Sequence, residues 1–178
     1  MKFRVIPMMA LAILVLANVA SATHYRATIT VEGAQEVNPP VGIPGTGSAS
    51  VYVNTVSNTI DLKGTYSGMT SNVTNAHFHG PANPGQNAGV KIGVTHTGGT
   101  SGTVTFNGNY LDADEADILA GRWYLNIHTV NNTGGEIRGQ VELNEIVPAT
   151  SNWALILTAI AICAGAAVLI YRRQRALA

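Results

Sequence analysis

Two histidines one residue apart, His77 and His79 in "NAHFHG", and a third, His128 in "WYLNIHT", are the residues of this 178-residue chain best suited to chemistry. Imidazole suits zinc and copper better than calcium or magnesium, with nitrogens at about 2.0–2.1 Å from the ion. On an extended strand, residues i and i+2 share a side, with Cα atoms roughly 6.5–7 Å apart. His77 and His79 can therefore lean toward one ion while Ala76 and Phe78 face the other way. In the second segment Trp123, Leu125 and Ile127 make the apolar face, which turns Tyr124, Asn126 and His128 to the opposite one. If the two strands are neighbours in one sheet, all three imidazoles emerge together as a three-histidine site. Its open position could take water, a substrate group or a partner's side chain. The plainer reading is that the three are solvated or hydrogen-bonded polar strand residues without an ion, and the sequence leaves both readings open. His24, beside the expected mature N-terminus, and His96, on the parity of Val90, Ile92 and Val94, are set outside the candidate site.

The elements that must hold these rings follow a period of two. "HYRATITV" places Tyr25, Ala27, Ile29 and Val31 on one face; "SASVYVN" and "TIDLKGTY" repeat the pattern with Ala49, Val51 and Val53, then Ile60, Leu62 and Tyr66. "VTNAHFH", "GVKIGVT", "GTVTFNG", "WYLNIHT" and "EIRGQVEL" continue it, separated by Gly, Asn and Pro clusters that end strands and form turns. Eight such strands predict an all-β fold, an antiparallel β-sandwich or a flattened Greek-key barrel. One departure, "LDADEADILAGRW", predicts a short helix capped by Asp114 and closed by Gly121 in the left-handed conformation. Its acids do not make an EF-hand loop: counted from Asp112, the sixth position is Asp117 and the twelfth Trp123 rather than Gly and Glu. The chain shows no nucleophile elbow, no HExxH and no P-loop.

Both ends are apolar. Residues 1–22 carry Lys2 and Arg4, then an apolar run, then Ala20-Ser21-Ala22, the pattern of a secretory signal peptide with cleavage before Thr23. "WALILTAIAICAGAAVLIY", residues 153–171, is uncharged and long enough to cross a bilayer, with Arg172, Arg173 and Arg175 as a cytoplasmic stop. The domains read as 1–22 leader, 23–146 β domain and 147–178 anchor or sorting segment with a transmembrane helix at 153–171. Residues 23–147 hold all ten acids against Arg26, Lys63, Lys91, Arg122 and Arg138, a net charge of −5. Nucleic acid is not an expected partner, because phosphate binding needs clustered Lys and Arg. The single Cys163 lies in the membrane helix, so the exported part holds together without a disulfide.

Three stretches resemble the CHRD domain, the module first recognised in chordin: "VEGAQEVNPPVGIPGTGSASV", "YSGMTSNVTNAHFHGPANPGQNAGV" and "LAGRWYLNIHTVNNTGGEIRGQV". Asn38 stands as an insertion before Pro39-Pro40 in the first of them. The resemblance spans residues 23–143 and implies an immunoglobulin-like or superoxide-dismutase-like antiparallel fold. "HFHGPANPG" is also similar to the copper-binding His-x-His of copper/zinc superoxide dismutases. "VPATSNW", the apolar helix and "RRQR" resemble the IPTL-CTERM and PEP-CTERM sorting tails, with Ala149-Thr150 in place of Thr-Leu and Asn152 in place of Glu. That likeness implies removal of the membrane helix by an exosortase-type protease. The location it implies is membrane-anchored or on the surface of a bacterium with an outer membrane.

Two functions from different classes follow. The first is a non-enzymatic envelope or surface module that binds an envelope protein partner, or a copper or zinc ion on the histidine face. The alternative is a small copper- or zinc-dependent metalloenzyme, superoxide-dismutase-like, with His77, His79 and His128 as ligands.

Overall fold

The computed structural model describes residues 23–39, 42–146 and 149–176; the leader expected at residues 1–22 lies outside them. Residues Thr23–Ile146 form one compact unit. Its strands are β1 (His24–Glu32), β2 (Thr46–Asn54), β3 (Thr59–Ser67), β4 (Val73–His79), β5 (Val90–Gly93), β6 (Thr95–His96), β7 (Gly102–Asn109), β8 (Tyr124–Thr129), β9 (Ile137–Gln140) and β10 (Asn144–Glu145).

They make a single antiparallel sheet in the order β5-β4-β8-β9-β1-β2-β3-β7-β6, with β10 on β1. This is a nearly closed barrel, not two packed sheets, so the barrel alternative is the one formed. Closure comes from one short run. β5 pairs with β4 and β6 with β7, and only Val94 separates them, its amide donating to the Ala76 carbonyl at 2.8 Å. Of the expected eighth strand, residues 136–143, only Ile137–Gln140 forms β9, and β10 follows beyond that segment. Ten strands thus replace eight because one predicted segment changes neighbours part-way and a two-residue strand, paired with β1, follows the last one.

At the opposite seam β9 meets β1 through the single pair Glu32 and Arg138. There Gln35 takes the place of ladder bonds: its Nε2 donates to the Thr30 carbonyl at 3.0 Å and its Oε1 accepts from the Gln140 amide at 3.1 Å.

The inward residues are those the alternation selects: Ala27, Ile29, Val31, Ala49, Val51, Val53, Ile60, Leu62, Phe78, Leu125 and Ile127 are buried in one apolar cluster. Ile118, from helix α1 (Glu115–Leu119), joins them. Gly121 adopts φ +70°, as the closing position requires. Asp114 does not cap: it makes no side-chain cap bond, and its carboxylate meets Lys91 Nζ at 2.6 Å. The ion pair wins because a nearby ammonium offers a charge-assisted bond where the helix end offers only neutral amides.

Separately, residues Ala149–Arg175 form helix α2. Its stretch Ile156–Arg175, with mean hydropathy 1.7, is long and apolar enough to cross a membrane.

Candidate metal centre

β4 and β8 pair side by side, His77 opposite Asn126, His79 opposite Tyr124 and Asn75 opposite His128. This register puts His77, His79, Tyr124, Asn126 and His128 on the outward face, behind the layer of Ala76, Phe78, Leu125 and Ile127. Outward does not mean wet here, for all six residues of β8 are buried. Two loops cover the face. The loop after β4 is fastened by the Ala88 amide donating to Tyr124 Oη at 3.1 Å and by Arg138 Nη1 donating to the Gln86 carbonyl at 2.7 Å. The loop after β8 is held through the buried Glu136 carboxylate. That group accepts from the Thr70 amide (2.7 Å), Thr70 Oγ1 (2.7 Å), Thr129 Oγ1 (2.6 Å) and Asn132 Nδ2 (2.9 Å). These bonds hold the Glu136 carboxyl below the usual range although burial pushes the other way.

Under these loops the three imidazoles converge. Ring centroids lie 5.5 Å apart for His77 and His79, 5.0 Å for His77 and His128, and 5.6 Å for His79 and His128. One ring nitrogen from each falls within 4.8 Å of the other two. His79 Nδ1 donates to the Ala88 carbonyl at 3.0 Å, and His128 Nδ1 to the Thr133 carbonyl at 3.0 Å. A carbonyl only accepts, so each Nδ1 carries the proton and each Nε2 keeps a lone pair. Both Nε2 atoms are buried without a hydrogen-bond partner, as is His77 Nδ1. Buried polar atoms are normally satisfied, and three convergent imidazole nitrogens left without partners could hold a metal ion. Burial is the leading cause that lowers the pKa of all three, taking His128 down to about 4, so the rings are neutral and ligand-ready at pH 7.

A family model, the CHRD domain, matches residues 27–141. The chain belongs to the CHRD-domain family. The curated proteins and the solved structures contain no match to it.

Within this CHRD domain the histidines set outside the site stay outside the converging trio. His24 bonds Thr23 Oγ1 and packs on Tyr52. His96 is near enough for its charge to act on His77, but it is not among the three. Strand parity put Tyr124 on the histidine face but did not reveal Arg138 or Glu36 behind it. Tyr124 stacks on His79 at 5.1 Å with rings 10° from parallel, and Arg138, 1% exposed, lies with Cζ 3.5 Å above the centre of the Tyr124 ring. Glu36 faces Asn126 and Arg138, and burial raises its pKa to about 7. The Ala88 and Thr133 carbonyls that fix the tautomers come from loops, where sequence pattern carries no signal.

Proposed function

We propose that this CHRD domain is an exported, non-enzymatic surface module that captures a copper or zinc ion on His77, His79 and His128. The observation carrying this reading is the set of orphaned ring nitrogens, two of them belonging to imidazoles whose opposite nitrogen is tied to a backbone carbonyl. On a tetrahedral ion three such nitrogens lie about 3.4 Å apart. Against ligand atoms that already lie within 4.8 Å of one another, the adjustment is a small rotation about side-chain torsions. Three protein ligands leave a fourth position for an outside group, so the site is not of the closed, structural kind.

CHRD membership is consistent with an extracellular or surface setting. The leader pattern and the apolar C-terminal helix support export with anchoring at the membrane, and the likeness of the tail to IPTL-CTERM signals supports later cleavage by an exosortase-type protease. Surface display gives the module access to an envelope protein partner.

Metal analysis of the purified full-length chain tests the central claim. One zinc or copper per chain is expected, with the H77A/H79A double variant holding less than a tenth of that. Failure of the unsubstituted protein to take up either ion would end the proposal. Mass spectrometry of the protein from its native membrane tests the tail: loss of Arg175 is expected, and its retention would leave the helix as a permanent anchor.

A further inference from the structure

We propose that the three-histidine site takes a divalent ion together with a small oxygen monoanion in the open position, and that buried Arg138 enforces this pairing. The inference rests on the metal reading above and names the class of ligand that completes the site.

The donors are three neutral imidazoles; among the described residues no Asp, Glu or Cys offers an atom to the cluster. A divalent ion would therefore keep its full charge in a buried setting, where uncompensated charge is costly. The neighbouring charge adds to the problem. Arg138 stands one aromatic ring away from His79, with Tyr124 between them because β8 runs between β4 and β9. Its guanidinium is held by neutral groups, the Gln86 and Asn83 carbonyls, Gln140 Oε1 and the Tyr124 ring, so its charge is not cancelled at contact. The carboxylate that acts on it, Glu36, is buried beside Asn126 and ionises only around neutrality. The ionisable groups that act on the three rings are histidines and Arg138, each cationic when charged.

An anion bound to the ion cancels one charge where cancellation is worth most. Hydroxide formed from bound water and the carboxylate of a small molecule or partner side chain share this chemistry. The two loops leave His77 as the least buried of the three rings, so only a small group approaches, and from that side.

Cobalt(II) loaded into the full-length chain reports the fourth ligand through its visible absorption bands. At constant pH and ionic strength, formate in place of perchlorate should shift those bands and raise the apparent cobalt affinity by about tenfold, within the usual range for coupled sites. Without formate, one proton should leave per cobalt bound, marking hydroxide as the anion; saturating formate should suppress that release, marking carboxylate. The R138M variant, if its circular dichroism shows it folded, should lose most of the formate effect while still binding cobalt. Cobalt bound with bands, affinity and proton count indifferent to formate would overturn the coupling and leave the metal site standing. An unchanged formate effect in folded R138M would overturn the role of Arg138. Absence of bound cobalt, zinc and copper under every condition would remove the metal reading itself.

Discussion

The two halves of the barrel bury their strands differently. Along β1, β2 and β3 buried and exposed residues alternate, and the outward Ser, Thr and Lys side chains meet water. β8 is buried on both faces, and most of β9 with it. The same period-two chemistry therefore makes a solvated wall on one side and, on the other, a polar layer roofed by loops. Only the second holds imidazoles out of water and neutral, as the proposed ligand role of the three histidines requires. Burial of a polar face, more than the presence of histidine, is what creates the site.

The sharpest way to separate the layers is to damage each in turn. Phe78 lies on the inner face with no exposed surface, beside Trp123 at 6.0 Å between ring centres. F78A should cost about 3–5 kcal/mol in urea unfolding, since it opens a cavity in the shared core. A loss below about 1 kcal/mol would mean the inner layer is not the main support of the histidine half.

Next in size is the polar layer itself. Gly135, at φ +128°, sits where an added Cβ would come within 2.5 Å of Asn126 Nδ2, Asn126 Oδ1 and Glu36 Oε1. G135A should cost roughly 2–4 kcal/mol, from both the backbone conformation and the overlap. It should also weaken metal uptake, because the same loop carries the Thr133 carbonyl that orients His128. A variant that unfolds less readily than the parent would contradict a closely packed outer layer.

Two carboxylates of that layer have opposite pH signatures. Glu136 has a lowered folded pKa, so its stabilisation is present above the unfolded value of 4.5 and is lost as pH falls through the folded value. E136Q should lose about 1–3 kcal/mol at pH 7 and be less sensitive to acid, because an amide leaves several of the four donors badly matched. Glu36 runs the other way. Its pKa rises from 4.5 to about 7, so the folded state holds the extra proton in that window and stability falls as pH climbs from 4.5 to 7. E36Q should flatten this decline and be more stable than the parent at pH 8. Parallel melting curves at pH 5 and pH 8 for parent and E36Q would refute the assignment.

How much of this was legible beforehand depends on the layer. The inner one was: Ala76, Phe78, Leu125 and Ile127 alternate with polar residues, and alternation is the direct consequence of a pleated strand with one apolar face. The same parity put His77, His79 and His128 on one side, and pairing of β4 with β8 brings the rings together. The outer layer left almost no trace. Arg138 lies between Ile137 and Gly139 on a strand buried on both faces, where alternation carries no information, and an Arg in such a run is ordinarily solvated. Gln35 bridging the seam, Glu36 under Asn126 and the Ala88 carbonyl on His79 depend on loops folding back across the sheet, which no local period encodes. The failure of the expected Asp114 cap has the same origin, since Lys91 is brought to it by tertiary structure.

The smallest expected effect tests the other half. Lys63 on β3 points outward, opposite Ser50 of β2 and Thr105 of β7, and its ammonium stands 4.0 Å from Asp61 with the lysine side chain 78% exposed. An exposed pair at that distance contributes little, because water screens the charges and holding two flexible chains in place costs entropy. K63A should change unfolding free energy by no more than about 0.5 kcal/mol and leave metal uptake untouched. A loss above about 1 kcal/mol would mean that Lys63 is held by more than an exposed pair, against the reading of this half as a wetted wall.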